Sequence, residues 1–415
     1  MRFDELDFEQ SVFDGLEAMN FIELTPVQEA AIPVILEGKD LIACAQTGTG
    51  KTAAFVLPLL NQIMKSPEDE DTVKAIIVAP TRELAQQIDM QFEGFSYFMP
   101  VSTIVVGGGG DGSQWEQQKQ AMLRGVDVVI ATPGRLLSHM AHSGINLKTV
   151  KYFILDEADR MLDMGFYDDI VNISNALGAN RQTIMFSATM PPKIRQLAKG
   201  ILNNPVEVSI SISKPNEAIL QGAYVCYELQ KMGIVENLFT NPYNKKCIIF
   251  SSSKQKVKDL AHRLKRMKYN VAAMHSDLDQ PVREEVMLAF KNKKIDILVA
   301  TDIVARGIDV DEIGLVINYD VPHDPEDYIH RIGRTARAGA EGTALTFISE
   351  TEQGKFHRIE QFLGKTVYKV PIPEELGEGP AYNPGAERRN FSPRSKGNSQ
   401  GKGRWVKKKQ SGEPR

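Results

Sequence analysis

Ala45-Gln46-Thr47-Gly48-Thr49-Gly50-Lys51-Thr52 is the stretch on which the fold turns. The apolar residues Leu41-Ile42-Ala43 precede it, and a helix-like run from Ala53 to Leu60 follows. Strand, glycine-rich turn and helix, in that order, form the context that a phosphate-binding loop requires. Gly48 and Gly50 allow the backbone to approach an anion, with Thr47 and Thr49 in the same turn. The amides at the helix start face that anion, and the helix dipole favours it. Lys51 has the reach to meet terminal phosphates, and Thr52 offers a hydroxyl to Mg²⁺. The general pattern has glycine at position 45, where this chain carries Ala45. A glycine-rich turn with a chance Lys-Thr is the plain alternative, and the flanking elements argue against it.

A second stretch points the same way. Lys151-Tyr152-Phe153-Ile154-Leu155 reads as a short buried strand and ends in Asp156-Glu157-Ala158-Asp159. A carboxylate at the C-terminal end of a strand lies where open α/β sheets bind ligands. Asp156 is placed to hold Mg²⁺, directly or through water. Glu157 is then the group to orient and deprotonate an attacking water. Asp159 is free to link this site to another. An acidic surface turn is the bland reading, and the phosphate loop upstream disfavours it.

Between and beyond these motifs, short apolar runs alternate with helical stretches. They include Ala75–Val78, Thr103–Val106, Asp127–Ile130 and Thr183–Phe186, then Cys247–Phe250, Val271–Met274, Ile295–Val299 and Leu315–Ile317. Such alternation predicts parallel sheets covered on both faces, and two series of it predict two α/β domains. Ser, Lys, Pro and Asn cluster between Ser209 and Ala218, which marks the break.

The motif series resembles the DEAD-box RNA helicases, whose name spells the residues at 156–159. The resemblance spans about residues 1 to 365 and brings further motifs in order. They are Phe21 with Thr25-Pro26-Val27-Gln28, Pro80-Thr81-Arg82-Glu83-Leu84, Gly107-Gly108, Thr132-Pro133-Gly134-Arg135 and Ser187-Ala188-Thr189. The second half adds Ile249-Phe250-Ser251, Gln280 with Arg283, Ala300-Thr301-Asp302 through Asp309, and His330-Arg331-Ile332-Gly333-Arg334-Thr335-Ala336-Arg337. Among bacterial members the chain looks most similar to the RhlE type. The implied architecture is two tandem RecA-like parallel-sheet domains, at 1–208 and 219–370. A linker at 209–218 joins them, and a basic low-complexity tail at 371–415 follows.

The resemblance also implies roles. Gln28 would read adenine, since an amide donates and accepts together. Phe21 would touch the ring, with Phe3 in support, and the implied cofactors are ATP and Mg²⁺. Asn20 stands where Gly is common and Leu24 where Pro is common; neither alters the hydrogen-bonding residue. Arg334 and Arg337 would be arginine fingers from the second domain, with planar donors suited to phosphate oxygens. Asp309 would contact the ribose, and His330 would meet the carboxylate motif across the cleft. Ala336, where Gly is frequent, is expected to matter little. Ser187 and Thr189, with Asp159, would couple the ATP site to RNA. The implied RNA contacts are Arg82, Gly108, Thr132, Arg135, Arg283 and Thr301. Guanidinium, hydroxyl and exposed amide groups suit a sugar-phosphate backbone and carry no sequence code.

Composition sets the outer bounds. At 415 residues, the chain has room for two domains and extensions. No apolar run approaches the roughly 18 residues of a membrane span, so no membrane partner is expected. The acidic start Met1-Arg2-Phe3-Asp4-Glu5 does not read as a signal peptide. Cys44, Cys226 and Cys247 are too scattered for a disulfide framework or a metal site, and Cys44 reads as a packed strand thiol. A cytoplasmic location is expected. Residues 384–415 hold ten Lys or Arg against two acids, a balance of +8 that leaves −12 on residues 1–383 of a chain at −4. A folded acidic body with a basic arm is the result. The arm would be disordered alone and is expected to add salt-sensitive RNA affinity, or else to dock protein or aid solubility.

The expected activity is ATP-dependent, locally acting RNA duplex unwinding or ribonucleoprotein remodelling. An ATP-gated RNA clamp that does not unwind is the alternative; a DNA helicase and a general ATPase are further rivals. Ribosomal or RNA-degradation proteins are the expected protein partners. Ribosome assembly, mRNA turnover and cold adaptation all remain open as pathways.

Overall fold

A computed structural model describes residues 1–45, 49–66, 72–108, 112–210, 218–240, 246–302, 313–336 and 341–384. The basic part of the tail and most of the expected linker lie outside them. The first sheet contains β1 (Leu41–Cys44), β2 (Ala75–Val78), β3 (Thr103–Val106), β4 (Val128–Ala131), β5 (Tyr152–Leu155), β6 (Gln182–Ser187) and β7 (Val206–Ser209). Their order is β3-β4-β2-β5-β6-β1-β7. The second contains β8 (Ile219–Val225), β9 (Lys246–Phe250), β10 (Val271–Met274), β11 (Ile297–Ala300), β12 (Ile313–Asn318), β13 (Gly342–Ile348) and β14 (Tyr368–Lys369). Its order is β10-β11-β9-β12-β13-β8-β14. Every pairing in both sheets is parallel. This is the tandem RecA-like architecture.

Successive side chains along a strand point to opposite faces. Ile77, Ile130 and Ile154 therefore join Leu60, Ile88 and Phe92 in one core layer. Their neighbours Ile76, Val129 and Phe153 join Leu136, Ile173 and Leu197 in the other. The second sheet repeats the pattern, with Ile249, Val299 and Ile317 on one side and Ile248, Leu298 and Val316 on the other. A strand buried on both faces has no polar side to alternate, so the central strands read as unbroken apolar runs.

A buried ion cluster closes the C-terminal edge of the second sheet. Lys231, fully buried, places its ammonium 2.8 Å from Glu228, 3.3 Å from Asp320 and 3.1 Å from Glu352. These three carboxylates converge closely enough to hold a metal ion, but the ammonium already supplies the cation. Asp320 also accepts bonds from Ser251 Oγ at 2.7 Å, Ser252 N at 2.8 Å and Lys256 Nζ at 2.7 Å. Burial opposes ionisation of Asp320, but Lys231 and these donors hold its carboxyl far below the usual range. Burial likewise opposes the charge on Lys231, and Glu352 and Asp320 outweigh it, raising the ammonium's pKa.

Two backbone details explain departures from the family pattern. Asn20 and Ala336 both have φ 56, in the left-handed region. Glycine suits that region, and Asn is the residue that tolerates it next best through local hydrogen bonding. Asn20 therefore keeps the turn that delivers Phe21. Ala336 has no such relief, which makes it a strained choice rather than a neutral one. Leu24 donates its N–H to Met1 O at 3.1 Å, a bond a proline could not make.

Two outcomes follow for stability. Lys231→Met leaves buried carboxylates short of a partner and is expected to cost on the order of 3 kcal/mol in urea unfolding. The network's contribution is fully present above the unfolded Asp value of about 4 and below the unfolded Lys value of about 10.4. It fades as pH falls toward the depressed Asp320 value, and again as pH rises through the raised Lys231 value; the variant should lose the alkaline limb and only part of the acid one, since Lys256, Ser251 and Ser252 still hold Asp320. Ala336→Gly is expected to gain about 1 kcal/mol, read as a higher urea midpoint.

Candidate functional site: an interdomain nucleotide and nucleic-acid cleft

Parallel strands bring all their C-terminal ends to one edge of a sheet, and the strand order sorts the loops that leave that edge. In the first sheet, β1, β5 and β6 are neighbours. They lead into the phosphate loop, the carboxylate motif and Ser187-Ala188-Thr189. On the other half, β2, β3 and β4 lead into Arg82, Gly108 and Thr132. The second sheet divides likewise: β10 and β11 precede Arg283 and Thr301, and β12 precedes His330 and Arg334. Nucleotide residues thus collect on one side of the cleft and the expected RNA contacts on the other.

On the nucleotide side, Gly50 starts the helix Lys51–Lys65 at φ 87. A Cβ there would stand 2.6 Å from Gln28 Nε2, so both conformation and space require glycine. Gln28 is buried in the helix Pro26–Leu36. Its Oε1 accepts from Thr25 N at 2.8 Å and its Nε2 donates to Gly50 O at 3.1 Å. One N–H and one lone pair of the amide remain for a ligand, the pair an adenine edge would use. Phe21 packs edge-on against Phe95 at 5.1 Å and Phe3 at 6.2 Å. Lys51 is 6% exposed, and its Nζ has no hydrogen-bond partner among the described residues. A buried ammonium in that state fits a phosphate partner. Cys44 is half-buried, with its thiol 3.5 Å from Ala188 O, and it lines the interdomain cavity rather than being wholly packed.

The carboxylate motif is a strained turn. Glu157 has φ 51 and ψ 52, left-handed for a residue with a full side chain, and is buried. Burial raises the Asp156 carboxyl, and the adjacent Glu157 charge adds to this against the pull of Lys51. For Glu157 the burial effect is overcome by Arg160 and Lys51, with help from Arg334, and its carboxyl lies low. Arg160 pairs directly with Glu157. Asp159 Oδ2 accepts from Ala188 N at 3.1 Å, Thr189 N at 2.9 Å and Thr189 Oγ1 at 3.0 Å. Ser187 Oγ accepts from Asp159 N at 3.3 Å and donates to Thr189 O at 2.7 Å. The predicted coupling residues therefore form one hydrogen-bonded unit.

A cavity of about 660 Å³ opens between the two sheets, with Glu157, Asp159 and Thr189 on one wall and His330 and Arg334 on the other. Lys51 and Gln28 do not line it, so it flanks the carboxylate motif rather than the adenine side. Arg334 is buried, with its Nε donating to His330 O at 3.2 Å. Both units thus contribute residues to one chamber, in which Ile42, Met190 and Val208 line an apolar part beside the charged groups.

On the other side, Arg82 Nη1 donates to Gly108 O at 3.1 Å. A Cβ on Gly107 would meet the Arg82 side chain at 2.8 Å, so a glycine is needed for this approach. Arg82 lies 3.5 Å from Glu284 of the second unit, and Arg283 lies 2.7 Å from Glu83 of the first. Gln280 adds a bond to Glu83 at 3.2 Å. Motif neighbours that sequence reading passed over, Glu83 and Glu284, thus hold the two arginines across the cleft. Arg331 was also missed. It grips Asp302 through two bonds, at 2.6 and 2.8 Å, and donates to Asn318 and Asp320 O. It ties the helix carrying His330 to the segment carrying Thr301. Thr47, Gly48, Asp309 and Arg337 lie outside the described residues.

Comparison with known proteins agrees with this geometry. Residues 25–197 match the DEAD/DEAH box helicase family and residues 230–339 the helicase conserved C-terminal domain. The ATP-dependent RNA helicase CshA of Listeria monocytogenes is 40% identical over 90% of this chain and 71% of its own. RhpA of Helicobacter pylori, a DEAD-box ATP-dependent RNA helicase, is 39% identical over 89% and 74%. The structure of S. cerevisiae Dbp5 bound to RNA and ADP BeF3 matches with TM-score 0.81 at 32% identity, covering 90% of this chain and 96% of that one. A DEAD box protein from Methanococcus jannaschii reaches only 0.51 at 36% identity, with 89% and 99% covered. No helix among the described residues is long and apolar enough to cross a membrane.

The cross-cleft contacts generate a direct expectation. Glu83→Gln keeps the shape but removes the charge that faces Arg283. With donor and acceptor dyes on the two units, the closed-to-open ratio in the presence of ATP analogue and RNA should fall several-fold, about 1 kcal/mol. An unchanged energy-transfer histogram would show that the pair does not support closure.

Proposed function

The chain belongs to the DEAD-box ATP-dependent RNA helicases, and we propose that its cleft separates RNA strands by closing on ATP and one strand together. The observation carrying this reading is the shared chamber in which Glu157 of the first unit faces His330 and Arg334 of the second. Gln28 and Phe21 receive the base, and Lys51 receives the terminal phosphates with the backbone of Thr49 and Gly50. Thr47, Gly48 and the ribose contact Asp309 belong to the same reading. Thr52 and Asp156 offer the hard oxygen donors that suit Mg²⁺, which when bound would neutralise phosphate charge.

Glu157, held as a carboxylate by Arg160 and Lys51, orients the attacking water and takes its proton. Arg334, with Arg337, places guanidinium donors where charge develops on the transferring phosphate. Closure brings these cations to the carboxylate motif, so a nucleotide that prefers the closed state shifts the population toward it. Asp159, Ser187 and Thr189 transmit the state of that motif to the neighbouring strand end. Arg82, Gly108, Thr132 and Arg135 hold RNA from one side, and Arg283 and Thr301 from the other, all through backbone chemistry. Because the site spans two bodies, a bound strand must follow the closed shape, which expels its complement locally.

Within the family we place the chain among bacterial members of RhlE type, on its motif series alone. A cytoplasmic location and ribosomal or RNA-degradation partners fit the same reading, as does RNA binding by the basic tail. A linker at 209–218 between units at 1–208 and 219–370 is supported by β7 ending at Ser209 and β8 starting at Ile219, whereas the start of the tail assigned to 371–415 packs on the second unit, with Tyr382 Oη donating to Glu360 at 2.6 Å and Asn383 N to Gln353 at 2.6 Å. A clamp that holds RNA without unwinding would use the same residues.

Steady-state ATP hydrolysis with and without single-stranded RNA, beside Glu157→Gln, tests the proposal. RNA should stimulate the turnover, and the substitution should lower it by about 10²–10⁴. Equal rates with and without RNA would refute coupling. Release of a labelled strand in a single turnover then separates unwinding from clamping.

A further inference from the structure

Trp115 makes none of the cleft contacts. It lies in the helix Gly112–Leu123, and its ring stacks on His139 with centroids 3.7 Å apart and planes 12° from parallel. The guanidinium carbon of Arg135 stands 4.6 Å from the Trp115 ring centroid, a cation–π distance. Arg135 Nε donates to Gln118 Oε1 at 3.0 Å, and His139 Nε2 lies 3.0 Å from the same oxygen. An oxygen that takes both must receive a proton from each. His139 is therefore the Nε2–H tautomer, and its Nδ1 accepts from Ser143 Oγ at 3.2 Å. Burial first, then the charge of Arg135, keeps this ring neutral, with its pKa lowered to about 4.

The other end of the Gln118 amide donates to Val105 O at 3.1 Å. Val105 lies in β3, which runs directly into Gly107 and Gly108. Gln118 thus ties Arg135 to the strand that presents the glycine pair, and Gly108 in turn holds Arg82. Arg135 Nη2 is buried and has no hydrogen-bond partner among the described residues. One edge of this guanidinium is fixed by Gln118 and one face is covered by Trp115, which together set the plane in which it is held.

We propose that Trp115 and Gln118, braced by His139, are positioning residues that hold the Arg135 guanidinium ready for an RNA phosphate. This rests on Arg135 being an RNA contact. An arginine free to sample its rotamers loses that freedom on binding; one already stacked and bonded loses less, and binds RNA more tightly for it. The helix at Gly112–Leu123 therefore contributes to RNA affinity without touching RNA.

The test uses the full-length chain, a fluorescent single-stranded oligouridine and a non-hydrolysable ATP analogue. Arg135→Ala, Trp115→Ala, Gln118→Leu and the double variant Trp115→Ala/Arg135→Ala are compared. Arg135→Ala should weaken RNA binding about tenfold and reduce the slope of log affinity against log salt by about 0.7, one phosphate contact on a single strand, whereas Trp115→Ala and Gln118→Leu should weaken binding several-fold with the slope kept, because the charge stays and only its preorganisation is lost. The double variant should bind no worse than Arg135→Ala alone. In steady-state hydrolysis the KM for RNA should rise with kcat within about twofold, and Trp115→Phe should restore binding by keeping a flat ring. The chain has two tryptophans, so Trp405→Phe leaves Trp115 as a reporter whose emission should shift on RNA binding.

Additive losses in the double variant would reduce Trp115 to ordinary packing and overturn the proposal. Wild-type affinity in both Trp115→Ala and Gln118→Leu would do the same. Wild-type affinity in Arg135→Ala would refute the RNA contact itself, and the positioning role with it. Should Trp115→Ala fold poorly by circular dichroism, Gln118→Leu carries the same comparison.

Discussion

Parallel pairing is the constraint on which the rest of this molecule depends. A parallel sheet must return each chain through a crossover, so every strand exits at the same edge. Two such sheets in one chain give two edges bearing loops, and the loops carry all the chemistry. The strand order then decides which loops are neighbours. Because β5, β6 and β1 adjoin, Asp159 can bond the backbone and side chain of Thr189. Because β12 lies one strand from β11 across β9, Arg331 can reach Asp302. These two carboxylates do comparable work in the two sheets. Each locks one motif to another, so that a shift in one loop is felt by the next.

One strained position falls on these loops. Glu157 sits left-handed at the point where β5 becomes a helix. A strained turn of this kind persists only if the surroundings hold it, and here the Arg160 ion pair and the bonds of Asp159 to Ala188 and Thr189 do so. The same conformation at Asn20 and Ala336 shows how the fold, rather than chemistry, dictates residue choice at a turn. One position found an amide that tolerates it and the other accepted the cost.

Much of this was legible in the sequence, for definite reasons. The central strands are apolar on both faces and announce themselves as runs such as Ala75-Ile76-Ile77-Val78. The phosphate loop and the carboxylate motif are contiguous, so spacing alone reveals them. The features that escaped are those that depend on a distant partner or on partial exposure. β7 alternates because it is half exposed, and β8 carries Gln221 and Gly222 within its span, so neither reads as a buried run. β14 is a two-residue edge strand. Glu83 and Glu284 acquire meaning only from arginines some 200 positions away, as the Arg283–Glu83 pair shows. Trp115, Gln118 and His139 are three scattered residues until two helices bring them round Arg135. Lys231 looks like an ordinary surface lysine until three carboxylates close on it.

The protein's own cross-cleft contacts are modest. Arg283 and Glu83 are each about one-fifth exposed, and Glu284 is 42% exposed, so water and salt screen these pairs. Such contacts orient the two units but do not commit them to one arrangement. The larger electrostatic demand lies in and beside the chamber, where Arg334 stands opposite Glu157 and Asp159, and the buried Lys51 lies behind them next to Asp156 and Glu157. A polyanionic nucleotide changes that balance far more than any single surface pair, because it adds charge where the dielectric is low. A scaffold whose intrinsic closure energy is small leaves the equilibrium to its ligands, since only differential binding moves a two-state population. Weak self-contact is therefore a requirement of the switch. Strong pairing across the cleft would hold the units shut whether or not ATP and RNA were present, and hydrolysis would then have nothing to release.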